Sequence, residues 1–315
     1  MAARDGMQDA HEALDDWLDR RFEHGTPLEP LLEALDAAGL DAPAVEILLR
    51  KGRARYPEPS HPRGMLSERI DLDCDHVDHR VQYMIYLPRP YDALAAWPLV
   101  VIGHGGSVAR DLDFGAWAAR GGMEPFWYGA AEAYGLILVA PLTDRGWGAI
   151  GNSILLSAIS RATRDHHVDP DRIYVTGHSM GGHLAWRCGI NFADRWGAVS
   201  PMSGGYDFVA DRQVENLVNV PGYATWGTNE PFRIAEYNRT LRAYMEANAY
   251  PWVHRECAGG HEIFPDEISR VARFFLDHPR DPFRTSVRAR AGGPLEFNTA
   301  DAHPDWDRVH TWKAG

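Results

Sequence analysis

The chain has 315 residues, 45% hydrophobic and 24% charged, the balance of a globular protein with enough apolar material for a full core. Its 44 acidic residues outnumber 32 basic ones, and a charge of −12 spread along the chain repels phosphate backbones, which argues against a nucleic-acid partner. Three widely spaced cysteines, Cys74, Cys188 and Cys257, form neither a disulfide framework nor a close metal-binding pair and fit a reducing compartment.

The N-terminal stretch MAARDGMQDAHEALDD lacks the apolar core of a signal peptide, and no apolar run is long enough to cross a bilayer, so the expectation is a cytoplasmic protein with no membrane partner. Leu14, Trp17, Leu18 and Phe22 recur at helical spacing and predict an amphipathic helix over 9–23. Thr26, Pro27 and Glu29 read as a capping box with proline at the first helical position, followed by Leu28, Leu31, Leu32 and Leu35. Gly39 stops this helix, and Asp41 caps a third that runs to about Gly52. The segment 56–64, YPEPSHPRG, is a proline-rich connector. Residues 1–60 therefore read as a helical extension, 61–280 as the main domain, and 281–315 as a tail without a readable pattern.

From residue 65 strands and helices alternate. Strands are predicted at 66–73, 81–87, 98–103, 136–141, 172–176, 197–203, 222–227 and 252–257, several as continuous apolar runs of the kind buried on both faces of a parallel sheet. Helices are predicted at 122–134, 150–165, 180–190, 233–247 and 265–276. The first two strands have no helix between them and are expected as an antiparallel hairpin at the sheet edge. The fold class is α/β, a mostly parallel sheet of about eight strands flanked by helices.

The strand RIYVT runs into Gly177-His178-Ser179-Met180-Gly181-Gly182, with a helical segment behind it. This is G-x-S-x-G at a strand-to-helix turn, where glycines make room for a strained backbone that lifts the serine hydroxyl out of the sheet. Ser179 is thus the candidate nucleophile. A serine hydroxyl needs a base, and Gly259-Gly260-His261 follows the last strand, where the partner histidine of such an arrangement belongs. His254, inside a strand, and His278, beyond a further helix, fit less well. The acid should follow the penultimate strand: Glu230 is the choice and Asp207 its rival. Oxyanion donors are expected from the backbone of Met180 and from Gly106 or Ser107 in the loop His104-Gly105-Gly106-Ser107.

These pieces together resemble the esterase and "predicted peptidase" branch of the α/β hydrolases, which includes feruloyl-esterase-like and phospholipase/carboxylesterase-like proteins. The resemblance is carried by PLVVIGHGG, VDPDRIYVTGHSMGGHLAW, AVSPMSGG, VENLVNVPGYATWGTNEPF and GGHEIFP, over about 98–265. It implies the α/β-hydrolase fold and hydrolysis of a small-molecule ester without cofactor or metal. The phrase His-Gly-Thr-x-Asp of such proteins stands here as Trp226-Gly227-Thr228-Asn229-Glu230, with glutamate for aspartate and a bulkier Trp226 for the histidine. His104, Trp147, Trp226 and His178 are the candidate substrate-binding residues, and Trp117, Phe126, Trp127 and Tyr128 lie near the same sheet edge.

Other signals have plainer readings. The run Asp71, Asp73, Cys74, Asp75, His76, Asp78, His79 falls where a hairpin turn belongs and reads as solvated rather than metal-binding. His166 and His167 suit the end of a helix. No nucleotide-binding glycine fingerprint is present. The stretch 206–221 is too short for an inserted lid, so the N-terminal helices are expected either to cover the active-site mouth or to form a homodimer contact. Acyl transfer or peptide cleavage by the same residues, and an inactive hydrolase fold used for binding, are the alternatives.

Overall fold

The computed structural model describes residues 2–20, 27–54, 56–74, 77, 79–106, 111–144, 146–206, 209 and 213–283. Three helices, α1 (Ala2–Arg20), α2 (Glu29–Ala37) and α3 (Ala42–Lys51), close on a small core of Leu14, Leu31 and Leu48. Asp41 caps α3 as expected, accepting from the Ala44 N–H at 3.0 Å. The start of α2 differs from the expected capping box. Its first helical residue is Glu29, its N-cap is Leu28 without a side-chain cap, and the proline in its first turn is Pro30. There Pro30 needs no N–H partner and Glu29 faces the positive helix end; Thr26 lies outside the described residues.

The extension is tied to the amino ends of the strands. Inside the extension Asp15 accepts from the Ala54 N–H at 2.7 Å and His11 contacts the Gly52 carbonyl at 2.7 Å, while Arg53 reaches out to donate to the Arg164 carbonyl at 3.2 Å. The Tyr56 ring stacks on His167 at 4.7 Å. His167 precedes β5 (Val168–His178) and Ser179 follows it. Eleven strand residues put the two ends roughly 35 Å apart. Arg53 and Tyr56 therefore attach the extension at the end of the sheet remote from Ser179. The reading of His166 is corrected. Burial holds it down to about 4, so it carries no charge for the helix dipole near neutral pH.

The eight predicted strands form one sheet: β1 (Ile70–Leu72), β2 (Val81–Tyr86), β3 (Trp97–Gly103), β4 (Ile137–Leu142), β5, β6 (Val199–Met202), β7 (Gly222–Gly227) and β8 (Trp252–Cys257), in the order β1-β2-β4-β3-β5-β6-β7-β8. The β1/β2 and β2/β4 pairs are antiparallel and all others parallel. Alternate residues of β3 serve two cores. Leu99 and Val101 join the side covered by α6 (Ala149–Asp165), α7 (Met180–Asn191) and α8 (Ile234–Ala247). Val100 and Ile102 join the side covered by α4 (Leu112–Met123), α5 (Tyr128–Tyr134) and α9 (Pro265–Leu276). The predicted helix 122–134 is in fact the end of α4 followed by α5, and most of α4 was not expected.

Successive connections leave β3 toward β4 on one side and reach β5 on the other, a reversal that opens a crevice at the carboxyl ends of the two strands. Gly103 of β3 pairs with Gly177 of β5 at that point. The first turn of α7 then presses against β3: a Cβ placed on Gly181 would lie 1.9 Å from the Gly103 carbonyl oxygen. Gly181→Ala is expected to destabilise the protein by about 3 kcal/mol, read as a lowered midpoint in urea unfolding. An unchanged midpoint would mean that the two backbones can part without cost.

Candidate active site

Ser179 sits between β5 and α7 at φ 59°, ψ −115°, a region an L-residue occupies only under constraint. The constraint comes from both sides. Its N–H donates to the Met202 carbonyl of β6 at 2.9 Å, and its carbonyl accepts from the His183 N–H at 3.0 Å. The turn thrusts the hydroxyl toward the loop after β8, where His261 Nε2 lies 2.8 Å from Ser179 Oγ. His261 Nδ1 is 2.6 Å from Glu230 Oε2. Glu230 follows β7, its side chain has no exposed surface, and its Oε1 accepts from the Gly227 N–H at 3.1 Å. The structure thus brings Ser179, His261 and Glu230 into one row, whereas Asp207 lies outside the described residues.

Burial by itself would raise the Glu230 carboxyl, but hydrogen bonds from His261, Ser203 and the Gly227 N–H outweigh it and hold the group below its ordinary value. An ionised Glu230 takes the Nδ1 hydrogen and leaves Nε2 as acceptor for the serine hydroxyl. A row of this kind can draw a proton from a hydroxyl as it attacks and return it to a leaving group. His178 packs against His261 with ring centres 4.8 Å apart. Burial first, and His261 second, push His178 down to about 4, so it adds no second positive charge to the site near neutral pH.

The loop that follows β3 reaches Ser179. A Cβ on Gly105 would stand 3.5 Å from Ser179 Cβ, and Gly106 follows at φ 127°. Met180 opens α7 directly after Ser179, while Ser107 lies outside the described residues. His104 is only 3% exposed and uses both ring nitrogens, toward the Gly105 carbonyl at 2.9 Å and the Thr143 N–H at 3.1 Å. Its carbonyl accepts from Trp147 Nε1–H at 3.0 Å. His104 and Trp147 therefore brace the loop, with the ring nitrogens of His104 already engaged by the protein's own backbone.

The reading of Trp226 is corrected. It is fully buried, with its side chain in the α6–α8 core, so it is no wall of the site. Of the acidic run before β2, Asp75, His76 and Asp78 lie outside the described residues, and Asp71 receives Arg80 Nε and Nη2 at 2.7 and 3.1 Å and Gln82 Nε2 at 2.8 Å. Among the described residues, no three His, Cys, Asp or Glu side chains are placed to hold one metal ion. Also among the described residues, no helix is long and apolar enough to cross a membrane.

Ser203, not singled out in the sequence, follows β6 at φ 49°. Its single hydroxyl hydrogen is shared between the Glu262 carbonyl at 3.2 Å and Glu230, whose carboxyl it helps to lower, so it stands between the acid and the histidine loop. The hint in the sequence is a serine before two glycines at a strand end, but its Glu262 partner lies 59 residues away in the chain. A hydrogen bond to an ionised group contributes about 1.5–3 kcal/mol, and Ser203→Ala should lose that amount at pH 7. Because the Glu230 carboxyl is lowered in the folded chain, its contribution is present above the ordinary carboxylate range and fades as pH falls through the folded value. The deficit should therefore shrink in acid, as measured by urea unfolding at several pH values. An equal deficit throughout would assign the hydroxyl to the Glu262 carbonyl alone.

No protein-family model and no curated protein matches the chain. Solved structures do. A ferulic acid esterase superposes with a TM-score of 0.56 at 17% identity, covering 68% of this chain and 97% of its own. A thermostable esterase gives 0.54 at 20% identity, over 68% of this chain and 63% of its own. FphF, a fluorophosphonate-binding serine hydrolase of Staphylococcus aureus, gives 0.54 at 13% identity, over 69% and 99%. Together with the strand order and the turn at Ser179, these likenesses identify the architecture: the chain has the α/β-hydrolase fold.

Proposed function

We propose that the protein is a serine hydrolase that cleaves carboxylic ester bonds of a small molecule. The reading rests above all on the unbroken row from the strained Ser179 hydroxyl through His261 to the buried Glu230, at 2.8 and 2.6 Å. The esterases and serine hydrolases that share the fold support it.

In this mechanism Ser179 Oγ attacks the ester carbonyl as His261 Nε2 takes its proton. The carbonyl oxygen gains the negative charge and is held by backbone N–H groups of Met180 and of the Gly106–Ser107 turn. The tetrahedral adduct collapses, the alcohol leaves with the proton from His261, and the acyl group stays on Ser179. Water then attacks the acyl-enzyme through the same base, releasing the acid and restoring the serine. Glu230 keeps its negative charge throughout and orients and stabilises the imidazolium. Acyl groups and protons balance without an added cofactor.

A fluorophosphonate probe should add once to the wild-type chain and not to Ser179→Ala, as read by intact mass. A folded wild type that takes no adduct would remove the proposal. Glu230→Gln keeps the shape of the acid but not its charge, and should lower kcat for ester hydrolysis by about 10⁴-fold. A loss below tenfold would move the role of acid to another residue, with Asp207 first to be tested.

A further inference from the structure

Beside Ser179 a half-open cavity of about 350 Å³ runs between the end of β3, α4, the end of β6 and the loop after His261. We propose that this cavity is the binding site for an uncharged, apolar arm of the substrate, and that Gly121 and Gly122 set the length of arm it accepts. The proposal rests on the hydrolase reading and adds to it a substrate class.

Close-packed interiors leave few voids larger than a water molecule, whereas this volume falls in the range of ligand pockets. At about 30 Å³ per water-sized group it holds roughly ten to twelve non-hydrogen atoms. Gly105 and His178 form a wall shared with the nucleophile, so an arm seated here stays joined to a carbonyl at Ser179. The rest of the lining is apolar, including Ile102, Trp127, Met202 and Ile263, and Trp117 stands at 70% exposure on the rim.

No Asp, Glu, Lys or Arg lines the cavity among the described residues. Buried His104 and half-buried His178 are both held neutral, His104 with both ring nitrogens engaged. A carboxylate, phosphate or ammonium group placed here would lose its water with no countercharge in return. The same surface accepts methylene groups or a ring by burial alone.

The two glycines mark where the arm is measured. Both line the cavity, and a Cβ on either would meet no atom within 4 Å. A glycine inside a helix costs about 1 kcal/mol relative to alanine. Two in succession near the end of α4 are unexplained by contacts with neighbouring elements. Their effect is to keep open the space that side chains would otherwise fill.

The arm can belong to the acyl or to the alcohol half of the ester, and two substrate series separate these. One is p-nitrophenyl acetate, butanoate and octanoate; the other is ethyl, butyl and octyl acetate. In the series whose arm enters the cavity, kcat/KM should rise about three- to fourfold per added CH₂. Gly122→Phe should cut the long-to-short ratio in that series by about tenfold or more, with Gly122→Leu serving if the ring disturbs α4. Wild-type cleavage with flat profiles in both series, or a ratio unmoved by both variants, would overturn the cavity proposal and leave the hydrolase reading intact. If the wild type cleaves no ester, the hydrolase reading fails, and binding of methyl octanoate to Ser179→Ala by saturation-transfer NMR decides the cavity. Saturable binding abolished by adding Gly122→Phe would support the site; no binding, or binding unaffected, would overturn it.

Discussion

The contact on which the rest depends is the one between the backbones of Gly103 and Gly181, where no side chain stands between a strand and the helix that crosses it. That approach fixes the first turn of α7 against the end of β3 and forces the chain at Ser179 to reverse within a single residue. With φ at 59°, the reversal would relax if either neighbour could move. It is held because β5 pairs with β3 and β6 on its two sides and because the Ser179 N–H is bound to Met202. The sheet's packing energy is thus spent at one point, on aiming a hydroxyl, and the imidazole and carboxylate need only arrive from the ends of β7 and β8.

A second constraint acts on those two arrivals. A buried carboxylate is costly unless donors surround it, and Glu230 has three, from His261, Ser203 and the Gly227 backbone. One of the three is itself part of the proposed reaction, and the other two belong to β6 and β7. The acid is consequently positioned by the sheet and not by its own loop. Ser203, at a left-handed backbone angle, repeats on β6 the strained geometry seen for Ser179 on β5. The two strained serines terminate adjacent strands and face the same histidine loop.

The central strands were legible because burial on both faces leaves long apolar runs such as those of β3 and β4, and α6 to α9 because they carry helical periodicity. The row of Ser179, His261 and Glu230 was legible because each follows a strand in a fixed chain order. Helix α4 was missed for a physical reason. Gly115, Gly121 and Gly122 depress its helical signal, and the last two line the cavity. Trp226 was misplaced because its position along β7 says how near the mouth it is, while the face it takes is set by alternation within the sheet. Ser203 depends on a partner far along the chain, and no local pattern marks it.

The anchoring of α1 to α3 at the amino ends of the strands divides the molecule along its length. Chemistry is proposed at one pole, and the described residues of the extension attach at the other. A chain grafted through those residues to a surface, or fused there to another protein, would stand with its mouth pointing away from the attachment. Immobilisation by that end would then keep the rim at Trp117 on the side away from the support.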